Sequence, residues 1–456
     1  MSLERLGREK LSRIKQEHIL SDWEGLSPLQ REELLQEISS LGEELFHMQK
    51  EILALPRKRE ECSRKVFQAY SFAGNEENFK RGVKAIEEGR VACLIVAGGQ
   101  GSRLRFDGPK GLYPISIGRK KSLFQIFAEK TLSASVRYKQ ELFLAIMTSP
   151  SNHEATVEFF EKNHYFGLPF YRISFFCQKE MPLLDEEGKL FLEAPSAMAK
   201  GPCGNGYALH DFYHSGVWSH WKEKGVEFLN FIMVDNPLAD PFDAELIGFH
   251  LQKEHEVTIK CVYRKDIAEK VGVLFDCDGA VKVVEYTETL EEERKGLGPD
   301  GSLKHCCANI GLYAFSMDFI EKIAENDSLK MPLHLAKKSV RYLSEKGEVI
   351  FSDQPNAWKF EAFIFDVFSA AENIGALLYP RSSCFAPLKE LKGPYGVEAV
   401  RKALLQKDLL AFSRISREKI SANRFFELSQ DFHYPTKELF LKWMNRPLPN
   451  KSYIES

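Results

Sequence analysis

The chain has 456 residues but no run of about 18 or more apolar ones, so the sequence predicts no membrane span and no membrane partner. It also lacks a surplus of one charge, because 62 basic residues stand against 65 acidic ones and the formal net charge is -3. Proteins that bind nucleic acid through bulk charge are basic, so we expect no nucleic-acid partner. An apolar content of 44% and a charged content of 28% are typical of an ordinary soluble protein.

The nine cysteines form no C-x-x-C pair, and the charged N-terminal sequence has no apolar core of signal-peptide length. We therefore expect reduced thiols that mostly pack in the core, the adjacent pair Cys306 and Cys307 included, and a cytoplasmic location. The length indicates two or three domains.

Pattern and composition divide the chain into an N-terminal helical segment (1–87), a central domain (88–387) and a small C-terminal lobe (388–456). In the first segment, Ser27-Pro28-Leu29-Gln30 fits a helix capping box with proline at the first helical position. Apolar residues then recur at steps of three and four, which predicts one long amphipathic helix with a stripe of Leu34, Ile38, Leu41, Leu45, Met48 and Ile52.

The central domain alternates short β-rich runs with helical segments. The runs predict strands at 91–97, 141–147, 171–176, 227–234 and 256–263, a helix opening with a capping box at Ser151 and Glu154, and a hairpin at 272–286 that turns at Asp278-Gly279. Nearly continuous apolar strands between helices indicate an α/β fold with a mostly parallel sheet covered on both faces.

The sequence "VACLIVAGGQGSRLRFDGPKG" (91–111) suggests a phosphate-binding loop but matches neither of two common ones. A P-loop needs a hydroxyl residue after its lysine, where this chain has Gly111. A dinucleotide fingerprint needs a third glycine where this chain has Leu104. A nucleoside triphosphate loop remains, with backbone N–H groups, Arg103 and Lys110 facing phosphates. A glycine turn with solvated side chains explains this stretch alone equally well.

A longer series of motifs resembles the eukaryotic-type UDP-N-acetylglucosamine pyrophosphorylases of the UDP-sugar pyrophosphorylase family. The series runs "AGGQGSRL", "GPKGLYPIS", "KSLFQIFAEK", "VDNPLADP", "GVLFDCDGAVKVVEYTE", "KFEAFIFDVFSAAEN" and "CFAPLK", in the family's order over about residues 15–405. The resemblance implies a Rossmann-like nucleotidyltransferase fold, with a mostly parallel or mixed sheet. It also implies a reaction of UTP with a sugar 1-phosphate that yields a UDP-sugar and pyrophosphate, in a monomer or homodimer.

The resemblance also implies site residues. By this resemblance, the triphosphate would bind at Gly98, Gly99, Arg103 and Lys110, and a catalytic Mg²⁺ (or Mn²⁺) at Asp235. The uracil would be recognised by Gln178 and Gly204, and the sugar hydroxyls by Asn205, Glu285 and Asn309. Phe363 would form an apolar wall near the 2-substituent of the sugar, and Lys389 would bind the sugar phosphate. Arg103, Lys110 and Lys389 would be the catalytic side chains. A sugar phosphate has a second pKa near ~6, so at neutral pH it attacks the α-phosphorus without a general base, and catalysis needs positioning and charge neutralisation.

The chain departs from the family pattern mainly on the sugar side. Arg105 replaces a glycine, Cys203 replaces an aspartate, and "NIGLY" (309–313) replaces a motif with two more polar residues. The match is nearest to the N-acetylglucosamine group, and glucose 1-phosphate or a broad sugar range is the alternative. A non-catalytic relative that binds a sugar nucleotide for regulation is a further alternative. A nicotinamide enzyme is disfavoured because no suitable acidic residue follows the loop.

Overall fold

The computed structural model describes residues 2–54, 63–299, 301–326, 331–344, 347–421 and 424–456. Two compact units emerge from the contacts. The larger unit consists of the described parts of 62–177, 208–329 and 367–456, and the smaller unit of those of 1–61, 178–207 and 330–366. This grouping differs from the division into three parts made from the sequence, which stays a prediction.

The larger unit is built on one mixed β-sheet of eleven strands. Along its main path the strands lie in the order Tyr70–Phe72, Ile374–Tyr379, Val257–Tyr263, Cys307–Ser316, Phe228–Met233, Val91–Val96, Leu144–Thr148 and Ile173–Cys177. Neighbours are parallel except where Cys307–Ser316 pairs antiparallel with both its neighbours. The predicted α/β fold with a mostly parallel or mixed sheet is confirmed, as are the five predicted strands, with ends shifted by up to three residues.

Three further strands extend the sheet away from this path. Val273–Cys277 pairs antiparallel with Arg64–Val66, with Ala280–Val284 and at one position with Cys307–Ser316. The hairpin turns at Asp278 and Gly279, both of which have positive φ (53° and 90°), as predicted. Arg64–Val66 and Tyr70–Phe72 are strands, so the prediction that the segment 1–87 is helical is wrong there.

Helices pack on both faces of the sheet. Every residue of Val91–Val96 and of Leu144–Thr148 is buried, as expected for parallel strands covered on two sides. The helices of the larger unit are Glu76–Glu87, Leu123–Tyr138, His153–Lys162, Ala208–His214, Val217–Glu223, Ala244–Gln252, Glu291–Lys295, Met317–Ala324, Arg381–Cys384, Val397–Ser416 and Lys437–Trp443. The last two, with the strand pair Glu427–Leu428 and Tyr453–Ile454, surround a small apolar cluster of their own centred on Phe412 and Phe432.

The smaller unit combines three N-terminal helices with short strands. The helices are Leu3–Arg13, Pro28–Ser40 and Glu43–Ala54. The strands are Glu180–Pro182 with Lys200–Pro202, Leu192–Ala194 with Ala197–Met198, Arg341–Leu343 with Val349–Phe351, and the trio Leu184–Asp185, Ala357–Glu361 and His334–Lys338.

Two helix predictions need correction. The capping box at Ser27 and Gln30 is present, but the predicted long helix is two helices, because Leu41 is extended (φ -63°, ψ 122°) and ends the first. Leu41 is buried at this break, and Phe46 and Gln49 are the buried residues of the second helix.

The helix His153–Lys162 has no Ser151–Glu154 capping box; its N-cap is Asn152, whose side chain makes no cap hydrogen bond. Asn152 instead accepts from Ser149 N and donates to Ala97 O (2.8 and 3.0 Å). It therefore joins this helix start to the residue that precedes the glycine-rich loop.

Within the described residues, no helix is both long enough and apolar enough to cross a bilayer.

All eight described cysteines are free thiols, six of them buried, which fits the expectation of reduced core cysteines. Cys306 is partly exposed, and hydrogen bonding from Cys307 lowers its pKa to about 6.

Candidate functional site

The glycine-rich loop (98–111) leaves the carboxyl end of the buried strand Val91–Val96, where open α/β sheets bind ligands. Its two ends are joined, since Gly101 N donates to Gly108 O (2.9 Å) and Lys110 N donates to Gly99 O (3.0 Å). A Cβ built on Gly99 would meet no atom within 4 Å, so this backbone faces open space. The loop can present main-chain N–H groups to an anion.

Lys110 and Arg103 stand at opposite parts of this loop. Lys110 begins a short 3-10 turn, and the next residue must be glycine because a Cβ on Gly111 would lie 2.1 Å from the Phe124 ring. The Lys110 side chain is largely buried, with 16% of its surface exposed, whereas Arg103 is exposed. The Lys110 ammonium group is therefore partly enclosed by the protein, whereas the Arg103 guanidinium group is open to solvent.

Asp235 follows the central strand Phe228–Met233 and is buried. Its Oδ2 lies 2.6 Å from Lys389 Nζ and 3.6 Å from Lys110 Nζ. The structure thus brings together Lys110, Asp235 and Lys389, three residues singled out in the sequence that are 125 and 154 positions apart. We call them the Lys–Asp–Lys cluster.

The charges of this cluster shift one another's pKa. Burial by itself would raise the pKa of Asp235, but the positive charges of Lys389 and Lys110 lower it below its ordinary value. Burial lowers the pKa of Lys110, Asp235 raises it, and the positive charges of Lys389 and Arg103 lower it again, for a net decrease. Asp235 is therefore ionised at neutral pH, and Arg103 is close enough to act electrostatically on Lys110.

Asn236 fixes the segment that carries Lys389, and the sequence analysis missed it. Its Nδ2 donates to Cys384 O (2.7 Å) and its Oδ1 accepts from Ala386 N (3.0 Å). Leu388 N donates to Asp235 O (2.7 Å), so residues 384–389 run along the end of the central strand. The position of Asn236 directly after Asp235 was the only signal in the sequence.

Glu285 and Asn309 both lie close to Gly272, which precedes the hairpin strand Val273–Cys277. Asn309 N donates to Gly272 O (2.8 Å), and a Cβ on Gly272 would lie 3.0 Å from Glu285 Oε1. The strand of Asn309 neighbours the central strand that precedes Asp235, and a Cβ on Gly311 would lie 2.9 Å from Met233, the last residue of that strand. Gly272 is thus near both predicted sugar residues of the larger unit, and the residues that follow Asn309 contact the end of the central strand.

In the smaller unit, the loop 203–206 packs against residues 362–364. Gly204 has φ +80°, and a Cβ there would lie 2.3 Å from Ala362 O, so only glycine fits. Asn205 Oδ1 accepts from Ile364 N (3.0 Å), which places Asn205 beside Phe363. The half-buried Phe363 ring stacks on Phe365 with centroids 5.1 Å apart.

Gln178 lies near the same loop, because the next residue, Lys179, contacts Cys203. The buried Cys203 thiol donates to Lys179 O (3.1 Å), so the chain at 178–179 runs beside 203–204. Gln178 itself is buried. The structure therefore groups Gln178, Gly204, Asn205 and Phe363 within the smaller unit, and Cys203, which replaces the family's aspartate, packs inside it.

The donor set around Asp235 fits Mg²⁺ only if a substrate supplies most of the ligands. No group of three or more metal-binding side chains occurs among the described residues. Mg²⁺ commonly binds one or two carboxylates together with waters and substrate phosphates. Both lysines contact Oδ2, so Oδ1 of this ionised carboxylate is the oxygen that could bind a cation.

A family model described as UTP–glucose-1-phosphate uridylyltransferase matches residues 46–432. The chain belongs to this family of nucleotidyltransferases.

Two relatives identified by sequence and one solved structure are similar to this chain. UDP-N-acetylglucosamine pyrophosphorylase of Saccharomyces cerevisiae is 34% identical over 402 residues, covering 84% of this chain and 82% of the relative. UDP-N-acetylglucosamine diphosphorylase 2 of Arabidopsis thaliana is 31% identical over 408 residues, covering 84% and 80%. The solved uridine diphosphate N-acetylglucosamine pyrophosphorylase of Trypanosoma brucei matches with a TM-score of 0.78 at 24% identity over 100% and 98% of the two chains, and so supports the fold.

Proposed function

We propose that this chain transfers uridylate from UTP to N-acetylglucosamine 1-phosphate and releases pyrophosphate. The observation that carries the proposal is the Lys–Asp–Lys cluster beside the glycine-rich loop, in a chain of this family. The relatives from yeast and Arabidopsis are named for UDP-N-acetylglucosamine, which supports that sugar. The family description names glucose 1-phosphate, which therefore remains the second candidate.

The larger unit would hold the reacting phosphates. Backbone N–H groups at Gly98 and Gly99 would bind the triphosphate, and Arg103 and Lys110 would stabilise the negative charge that grows on the leaving pyrophosphate. Lys389 would position the phosphate of the sugar for in-line attack on the α-phosphorus.

Asp235 would hold Mg²⁺, or Mn²⁺, together with phosphate oxygens. When bound, such a cation acts as a Lewis acid toward the α-phosphate. The low pKa of Asp235 keeps the carboxylate ready for this role, because it stays ionised at neutral pH. Lys389 and Lys110, which pair with Asp235 Oδ2, are the groups that would turn to the phosphates when substrate binds.

The remaining assignments concern recognition. Gln178 would hydrogen-bond the imide edge of uracil with its amide, and Gly204 would lie close to the base. Asn205, Glu285 and Asn309 would bind sugar hydroxyls. Phe363 would contact the 2-substituent of the sugar, where a small apolar difference is worth about 1–3 kcal/mol of discrimination.

The experiment is pyrophosphate release by the purified chain with UTP and Mg²⁺ across a panel of sugar 1-phosphates. The panel includes N-acetylglucosamine, glucose and their galacto isomers, and a reaction without sugar measures background hydrolysis. We expect the highest kcat/KM with N-acetylglucosamine 1-phosphate. Preference for glucose 1-phosphate would favour the second candidate. No release with any sugar, together with binding of a UDP-sugar, would leave a regulatory binding protein.

A further inference from the structure

The sequence after Asn309, "NIGLY", forms an irregularity in the sheet. Along the strand Val257–Tyr263 the register passes from Lys260, paired with Leu312, directly to Cys261, paired with Asn309. Ile310 and Gly311 are thus the extra residues of a β-bulge, and Gly311 has φ +71°. A β-bulge changes the direction of the side chains next to it, and Asn309 directly precedes this bulge.

Two donors fix which end of the Asn309 amide points outward. Its Oδ1 accepts from Gly311 N (3.3 Å) and from the Tyr313 hydroxyl (2.9 Å). A backbone N–H can only donate, so the amide atom that faces it is the oxygen. The Nδ2 group, with two hydrogens to donate, therefore points away from the bulge.

The Tyr313 hydroxyl is itself held rigidly. The side chain is 1% exposed, and its ring packs between Phe231 and Phe368 with centroid distances of 5.6 and 5.3 Å. A buried phenol with a fixed ring can point its hydroxyl in few directions. Tyr313 is the last residue of "NIGLY", the segment that departs from the family pattern in the sequence.

We propose that Tyr313 is a positioning residue for sugar recognition: by occupying Asn309 Oδ1, it holds the Asn309 amide so that Nδ2 donates to an oxygen of the sugar. The inference rests on the proposed function, in which Asn309 binds the sugar. It explains how "NIGLY" can replace a more polar motif, because Tyr313 and the bulge supply the orientation.

The test is steady-state kinetics of the full-length Tyr313→Phe variant with UTP and N-acetylglucosamine 1-phosphate. The substitution removes the hydroxyl and keeps the ring. We expect the KM for the sugar 1-phosphate to rise about five- to tenfold, in keeping with one lost hydrogen bond, with kcat within about twofold and the KM for UTP unchanged. If Tyr313 had only a structural role, the substitution would not change the KM for the sugar 1-phosphate more than the KM for UTP.

Tyr379→Phe is the matched control. Tyr379 is also buried in the large sheet and donates to a side chain, Asp243 Oδ1 (3.1 Å). Its variant should lose stability to a similar extent, as measured by thermal melting, and keep both KM values. Equal effects of the two variants on the sugar KM would overturn the inference.

Two substitutions of Asn309 separate the inference from the proposed function. Asn309→Ala should raise the sugar KM, and adding Tyr313→Phe should then have no further effect, because coupled residues are not additive. Asn309→Asp keeps an acceptor for Tyr313 and Gly311 but replaces the outward donor by an oxygen, so it should also raise the sugar KM.

The outcomes are distinguishable. A raised sugar KM in Asn309→Ala with an unchanged one in Tyr313→Phe would refute the role of Tyr313 alone. An unchanged sugar KM in Asn309→Asp would show that the amide donor does not face the sugar, and would also refute it. Absence of turnover in the unmodified chain would instead refute the proposed function.

Discussion

At the scale of single residues, the candidate site is centred on a buried carboxylate that pairs with two ammonium groups. The pairs Asp235–Lys389 and Asp235–Lys110 share a carboxylate that is 7% exposed, while the Lys389 side chain is 45% exposed and the Lys110 side chain 16%. A substrate phosphate would compete with the carboxylate for the same lysines, and a cation bound at Asp235 would release them. We therefore expect the two lysines to change partners when substrate binds, rather than to form fixed structural ion pairs with Asp235.

Asp235→Asn tests this arrangement with almost no change of volume. The variant leaves two cations without their counter-ion and removes the proposed metal ligand, so pyrophosphate release should fall by about 100-fold or more. The circular dichroism spectrum should remain that of the unmodified chain. Asp318→Asn is the control, because Asp318 pairs with Lys222 but is 82% exposed. Full activity of Asp235→Asn would contradict the assigned role.

We expect Lys110 to determine how the reaction rate falls at alkaline pH. Burial is the main cause of its lowered pKa, so it loses its proton at a pH below the ordinary lysine value of about 10.4. Because the charged form is the one that binds phosphate, kcat/KM for UTP should decline on the alkaline side before an exposed lysine would titrate. This profile reports the free enzyme.

Lys110→Met provides the matching measurement. Its residual kcat/KM, although much lower, should stay flat across the pH range in which the unmodified chain declines. The same alkaline decline in both proteins would mean that another group titrates there.

At the scale of elements, residues 384–389 are held to the central strand by Asn236. Its two hydrogen bonds, to Cys384 O and from Ala386 N, are both lost in Asn236→Ala. We expect the KM for the sugar 1-phosphate to rise about tenfold because Lys389 is no longer positioned, and the free energy of unfolding to fall by about 1–3 kcal/mol.

The control for Asn236 is Asn373→Ala. Asn373 is exposed and donates to two carbonyl oxygens, those of Lys253 and Glu254 (2.8 and 2.9 Å), so a similar number of bonds is removed. Unaltered sugar kinetics in Asn236→Ala, despite lower stability, would show that Lys389 does not need this segment to be fixed.

Elements with strong local signals were predictable from the sequence. The strand Val91–Val96 is apolar throughout, and the turn at Asp278-Gly279 has residues that accept positive φ. The break at Leu41 could not be predicted, since the spacing of apolar residues continues through it and only the extended backbone separates the two helices.

The capping box at Ser151 failed for a different reason, because Asn152 is engaged with a distant strand through Ala97 O. In the candidate site, too, local sequence patterns predict some residues but not those whose role depends on distant contacts. The glycine-rich loop and Asp235 follow recognisable strands, whereas the roles of Asn236 and Tyr313 depend on contacts with residues that no local pattern specifies.

At the scale of the whole molecule, the smaller unit is assembled from three chain segments that are distant in the sequence. The N-terminal segment of this unit contacts the 180–202 segment through individual polar side chains, two of them on helices and one, Gln16, between helices. Gln49 Nε2 donates to Pro182 O (2.9 Å), Gln16 Oε1 accepts from Leu190 N (2.8 Å), and Glu37 Oε2 accepts from Met198 N (2.5 Å). Local stability there depends on these non-local bonds.

Gln49→Ala should therefore loosen the strands of the smaller unit selectively. Gln49 is fully buried, and its loss leaves Pro182 O without its donor and creates a cavity, at a cost of about 1–3 kcal/mol. Hydrogen exchange should accelerate about tenfold or more at the amides of 180–181 and 200–201, the residues of these two strands that carry an N–H, and remain unchanged in the strands 91–96 and 144–148 of the larger unit. Gln36→Ala, an exposed glutamine of the neighbouring helix, should change neither set. Acceleration that is uniform over both units would instead mean that the chain opens only by global unfolding, and that the N-terminal helices stabilise the molecule as one cooperative body.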